Sequence, residues 1–227
     1  MAKFILFDLD GTLIDGVDDL LFAMNDLLAA HNLPPLIRHE LEAMLGDGTK
    51  MLTMRAFAAR GVELSAASLD KLNIDFNQRY VATKYAQTHL FANTETTLRK
   101  LVSDGWIIGL ASNKPTAPCE RILDLLGISN LFSVVAGGDA TSVKKPDGGH
   151  LRFALDQIGY DRVNGDIAIM VGDHANDINA ARDFGISAIA VAFKVDATRA
   201  KSLGADAVVT AFETLPDAIE KIIKQAA

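Results

Sequence analysis

At 227 residues and 49% hydrophobic content, the chain can bury a full core, either as one large domain or as a core domain carrying an insert. No apolar run reaches the ~18 residues a transmembrane helix needs, so a transmembrane helix is excluded. A net charge of −7 with scattered basic residues argues against nucleic-acid binding, and a single cysteine, Cys119, excludes an internal disulfide.

Strand-like residues begin almost at once, with no charged segment and long apolar segment ahead of them. A signal peptide is therefore not expected, and the protein is placed in the cytoplasm. The lone cysteine agrees with a reducing compartment. Cys119 follows Pro118 near a helix start and is read as a packing or surface residue.

The first element is the apolar run Phe4-Ile5-Leu6-Phe7, which ends in Asp8-Leu9-Asp10-Gly11-Thr12. Side chains two apart on an extended chain share a side, so Asp8 and Asp10 can face one reaction centre. Such a carboxylate pair is costly unless a cation lies between its members or one of them holds a proton. Hard oxygen ligands of this kind suit Mg2+.

Residues 16–88 contain no strand-like run. Residues 18–31 carry Leu20, Leu21, Met24, Leu27 and Leu28 at helical spacing, and 37–45, 49–60 and 66–85 also read as helices. Gly46, Gly48 and Gly61 punctuate them. The predicted organisation is a core of residues 1–15 and 89–227 with a helical insert, 16–88.

From residue 106 onward strands and helices alternate. Strands are predicted over 106–111, 131–136, 167–171, 186–192 and 207–209, and helices over 115–126, 149–158, 175–184 and 214–225. This pattern predicts an α/β fold with a doubly wound parallel sheet, whose ligands bind beyond the carboxyl ends of the strands. The run ending at Ala111 is followed by Ser112-Asn113-Lys114-Pro115, which reads either as a helix cap or as an anion site. The run ending at Ala136 leads to Lys144-Lys145-Pro146, either a solvated loop or a fixed ammonium beside a phosphoryl group. The run 167–171 ends in Gly172-Asp173-His174-Ala175-Asn176-Asp177. Asp173 and Asp177 there read either as helix-start acids or as completing a metal site with Asp8 and Asp10. His174 is expected at the site edge or in solvent, because Mg2+ prefers oxygen. Together the strand ends supply the inventory for phosphoryl transfer through an aspartyl-phosphate.

Those four segments, in this order, resemble the motifs of the haloacid dehalogenase-like hydrolase superfamily over nearly the whole chain. The insert resembles its helical cap. Within the superfamily the chain is most similar to the phosphoglycolate phosphatases, through Gly46-Asp47-Gly48, Ser112-Asn113-Lys114-Pro115 and Asn176-Asp177-Ile178-Asn179-Ala180-Ala181-Arg182. It departs from many relatives at Gly148, where Pro is common, and at Gly16 and His174, where Ser is common.

The resemblance implies Asp8 as nucleophile and Asp10 as the acid that protonates the leaving alcohol, then as the base for water. Asp10 also distinguishes a phosphatase from the dehalogenase members, which lack it. The resemblance implies Mg2+ held by Asp8, the Asp10 backbone carbonyl, Asp173 and Asp177, the last through water or by orienting Lys145. Lys145 would neutralise Asp8 and the transferring group. Ser112, with backbone amides near Leu9, Asp10 and Asn113 and with Thr12 beside them, would bind the phosphate. In the cap, Arg38, Lys50, Arg55 and Arg60 are possible anion partners, with Lys50 and the turn at Gly46 favoured. The expected substrate is a small phosphate ester, 2-phosphoglycolate first. A sugar phosphate, a nucleotide, pyridoxal phosphate or a sugar-phosphate mutase activity are the alternatives. The oligomeric state is left as monomer or homodimer.

Overall fold

The computed structural model describes residues 1–193 and 197–226. The elements in chain order are β1 (Lys3–Phe7), β2 (Ile14–Asp15), α1 (Val17–Ala30), α2 (Arg38–Glu42), α3 (Thr49–Ala58), α4 (Ala66–Ala82), β3 (His89–Leu90) and α5 (Thr94–Ser103). They continue with β4 (Trp106–Ala111), α6 (Thr116–Leu125), β5 (Phe132–Ala136), α7 (Gly148–Gln157), β6 (Ile167–Gly172), α8 (Ala175–Phe184), β7 (Ser187–Val191), α9 (Ala197–Ser202), β8 (Ala207–Val209) and α10 (Leu215–Ala226). They divide into two units, Met1–Ile14 with Leu90–Ala227, and Asp15–His89.

The first unit contains a six-stranded sheet in the order β5-β4-β1-β6-β7-β8, with every neighbouring pair parallel. Its strands are apolar on both faces because both faces are covered. Phe4 and Leu6 share a core with Leu151, Ala154 and Leu155 of α7 and Ile178, Ala180 and Ala181 of α8. On the alternate register, the Phe7 ring stacks on Phe212 at 6.2 Å. β1 lies in the middle of the sheet, paired with β4 on one side and β6 on the other, so the strand order reverses around it. That is the switch point at which open α/β sheets place their ligands.

The second unit is an α-helical assembly in which α1 packs on α2 and α4, and α3 packs on α4. Its predicted helix over 37–45 is shorter in the structure. The Glu40 carboxylate accepts the Ile37 N–H at 2.9 Å and fixes the start of α2, and the backbone turns to φ +106° at Gly46 soon after its end. No helix among the described residues is long and apolar enough to cross a membrane.

Four elements escape the sequence reading: α5, α9 and the two-residue strands β2 and β3, which form a separate two-stranded sheet. The departure at Gly148 has a local reason. Its N–H donates to Asp183 Oδ2 at 2.8 Å, and a Cβ there would lie 2.6 Å from the Phe184 nitrogen. Proline has no N–H to give and would meet that backbone. Glycine lets the start of α7 lie directly against the end of α8.

Candidate active site

The site is built at the carboxyl ends of β1, β4 and β6 and in the loop after β5. The Asp8 N–H donates to the Val171 carbonyl at 2.9 Å and extends the β1–β6 ladder by one residue, while the Ser112 N–H does the same toward Ala136 at 2.9 Å. Beyond Asp8 the chain turns sharply. The Leu9 carbonyl accepts N–H bonds from Thr12, Leu13 and Ile14 at 3.3, 2.9 and 3.1 Å. The turn needs Gly11, whose φ is +85° and whose absent Cβ would fall 2.3 Å from Asp173 Oδ2. The glycine thus shapes the turn and leaves room for a carboxylate from β6.

Two buried lysines organise the charges. Lys145 Nζ lies 2.8 Å from Asp8 Oδ1 and 2.6 Å from Asp177 Oδ1, with its side chain only 1% exposed. Burial opposes the charge on this ammonium, but the Asp177 and Asp8 carboxylates more than offset it and push its pKa up. Lys114 Nζ lies 2.8 Å from Asp10 Oδ2. Burial raises the Asp8 carboxyl above the ordinary carboxylate range, against the pull of Lys145 and a hydrogen bond with Ser112. Asp173 is pushed well above that range, by burial first and then by the neighbouring charges of Asp8 and Asp177.

Carboxylate oxygens of Asp8, Asp173 and Asp177 lie within 4.8 Å of one another. The carboxylates of Asp8, Asp10, Asp173 and Asp177 outnumber the ammonium groups of Lys114 and Lys145 by two. An all-oxygen donor set with an excess of two negative charges fits a hard divalent cation such as Mg2+.

Side chains that the sequence left ambiguous take definite places. Asp177 Oδ2 accepts the His174 N–H at 2.9 Å while its Oδ1 binds Lys145, so it closes a helix start and orients the lysine together. His174 is the N-cap of α8, its Nδ1 accepting the Asn176 N–H at 3.2 Å. Ser112 is not a helix cap, since Pro115 occupies that position in α6. Asn113 Nδ2 donates to the Lys145 carbonyl at 2.9 Å and ties two of the loops together. Thr12, expected beside the phosphate, turns its hydroxyl to Asp173 Oδ1 at 3.1 Å. Leu9 is fully buried, and Lys144 is exposed.

Two residues went unnoticed in the sequence. Lys114 lies inside the Ser112-Asn113-Lys114-Pro115 segment, whose sequence alone assigns it no role. His150 is wholly buried on α7, and burial lowers its pKa and holds it neutral. Its Nε2 is 3.1 Å from the Ala136 carbonyl, where it secures the end of β5. Gly46 and Lys50 belong to the helical unit, where Lys50 pairs with Asp70. Cys119 is buried in α6, and burial pushes its thiol far above the ordinary range, which leaves it unreactive.

The profile of the family described as "Haloacid dehalogenase-like hydrolase" matches residues 5–191. The chain belongs to the haloacid dehalogenase-like hydrolases. It is 35% identical over 214 residues to the phosphoglycolate phosphatase of Caulobacter vibrioides, covering 94% of this chain and 89% of that one. To the phosphoglycolate phosphatase of Agrobacterium fabrum it is 32% identical over 228 residues, covering 100% and 97%. Among solved structures, a predicted phosphoglycolate phosphatase from Haemophilus somnus 129PT superposes with a TM-score of 0.84 at 27% identity, covering 95% of this hydrolase and 97% of the other chain.

Proposed function

We propose that this hydrolase converts 2-phosphoglycolate to glycolate and phosphate through a phosphoryl group carried on Asp8. The chain is a phosphoric monoester hydrolase by its family and its named relatives. The observation that carries the Asp8 reading is its pairing with Lys145, 2.8 Å apart, while Asp10 holds a separate ammonium; the choice of 2-phosphoglycolate rests on the named relatives.

In the first step an Asp8 oxygen attacks phosphorus, and the ester oxygen leaves with a proton from Asp10. In the second, Asp10 takes a proton from water as the water oxygen attacks the same phosphorus, which returns Asp8 as carboxylate. Lys145 offsets the charge of Asp8 and of the transferring group throughout. Ser112 and the N–H groups of Leu9, Asp10 and Asn113 would receive the remaining phosphate oxygens. Asp8, the Asp10 carbonyl, Asp173 and Asp177 would hold Mg2+, which supplies charge neutralisation between an anionic nucleophile and an anionic ester. The helical unit is proposed as the family's cap, with Gly46 and Lys50 as residues that would meet substrate.

Phosphate release from a panel of esters tests the reading. 2-Phosphoglycolate is expected to be turned over best, with Mg2+ and not with EDTA. Selective turnover of a sugar phosphate, a nucleotide or pyridoxal phosphate would replace the substrate, and isomerisation of glucose 1-phosphate would make the chain a mutase. No release from any ester would end the phosphatase reading.

The raised Asp173 carboxyl gives a second test. Between the ordinary value of 3.8 and the higher folded value, the native state holds more protons than the unfolded one. Metal-free stability therefore falls as pH rises through that window. Asp173→Asn removes the cost, so the metal-free Tm near pH ~8 should rise by about 2–4 °C per kcal/mol relieved. Mg2+ should raise the wild-type Tm more near pH ~8 than near pH ~5, because it competes with protons for the carboxylates. Thermal melts with and without Mg2+ check both points. A Mg2+ shift that survives in Asp173→Asn would remove Asp173 from the metal set.

A further inference from the structure

The two site lysines do different jobs. Lys145 is sealed in with Asp177, their side chains 1% and 2% exposed; Lys114 is also buried, at 4%, but the Asp10 carboxylate that receives it is 24% exposed. The Lys114 ammonium lies 2.8 and 3.2 Å from the two oxygens of Asp10. Its backbone is held at both ends, because its carbonyl accepts the Gly138 N–H at 2.8 Å and its own N–H donates to Ser112 Oγ at 3.4 Å.

In-line displacement assigns each lysine a place. With Asp8 attacking phosphorus, the leaving oxygen lies on the opposite side of the phosphoryl group. The group that protonates that oxygen must come within hydrogen-bond reach of it. If that group is Asp10, whatever touches the Asp10 carboxylate stands beside the leaving alcohol. Lys114 is in that position. A carboxylate one carbon from the leaving oxygen would lie within reach of an ammonium already bonded to Asp10, and an ammonium with its N–H bonds fanned apart can serve two carboxylates together. Four cations of the helical unit already hold carboxylates of that unit: Arg38 pairs with Asp15, Lys50 with Asp70, Arg55 with Asp47 and Arg60 with Glu40.

We propose that Lys114 is the receptor for a carboxylate borne next to the leaving oxygen, and therefore the residue in this unit that selects carboxylated esters over neutral ones. The inference rests on the phosphatase reading with Asp10 facing the leaving group.

The test compares kcat/KM for 2-phosphoglycolate and for its primary amide, the same ester without the charge. Wild type should favour the carboxylate by about 100-fold, mostly through KM. Lys114→Met should collapse that ratio toward unity, and Lys114→Arg, which keeps the charge, should preserve part of it. A merely structural role would lower both rates and leave the ratio alone. That result, or a wild type that treats the two esters alike, would overturn the proposal while both esters are still hydrolysed and the phosphatase reading stands. The wild-type ratio needs no variant to fold. Release from neither ester would fail the phosphatase reading itself and take the proposal with it.

Discussion

Asp8→Asn is expected to cut phosphate release from 2-phosphoglycolate by about ten-thousand-fold or more, with the fold intact. The amide has the shape of the carboxylate but no anionic oxygen to attack phosphorus, so the first step has no nucleophile. Stability should change little. Burial already disfavours the Asp8 charge, and Lys145 keeps Asp177 at 2.6 Å when the Asp8 charge is gone. Single-turnover assays of phosphate release together with a thermal melt separate the two quantities. A variant that is folded and retains a tenth of the wild-type rate would show that Asp8 is not the attacking group.

Lys145→Met should damage rate and stability together. The ammonium is the partner of both Asp8 and Asp177 and is only 1% exposed, so its loss leaves two carboxylates facing each other without a cation. Breaking a buried pair from one side costs about 3–5 kcal/mol, which corresponds to a fall in Tm of roughly 10 °C in a chain of this length. The rate should fall by about a thousand-fold, because the charge that balances nucleophile and phosphoryl group is gone. The pH dependence has a definite sign. Without Lys145 the Asp8 carboxyl loses the partner that pulls it down and rises further in the folded state, so that state gains protons as pH falls. The stability deficit in metal-free buffer should therefore shrink from pH ~8 to pH ~5. Adding Asp177→Asn removes one of the stranded anions. The double variant should regain stability but not activity, and a melt beside a rate assay reads that non-additivity.

The core was legible because each strand of its sheet is a short apolar run with a turn signal after it, and chemistry-bearing residues follow three of those runs directly. Trp106–Ala111, Ala175–Phe184 and Ala207–Val209 fall on their predicted bounds. The helix α5 was not legible. Its sequence, TETTLRKLVS, opens on β-branched threonines, and Asn93 before it takes a left-handed φ of +62°. The strands β2 and β3 have two residues each, too few for any period to show. In the site, the acidic pairs stood out because they interrupt apolar runs. Lys114 did not, since it precedes Pro115 in a run that reads equally as a loop and its partner is 104 positions away. His174 was hard to place because histidine is an uncommon N-cap, and only the Asn176 N–H at its Nδ1 reveals the function. His150 sits on the apolar face of α7 like any core residue, and its bond to Ala136 belongs to the tertiary fold.

The central claim is that a phosphoryl group resides on Asp8 during turnover. Acid-quenching the enzyme within its first turnovers of 2-phosphoglycolate, then digesting it and sequencing the peptides by mass spectrometry, tests this directly. The expected result is the mass of one phosphoryl group on Asp8 of the N-terminal peptide, absent in Asp8→Asn. A phosphoryl group on another residue, or none on the protein while substrate is being consumed, would contradict the account.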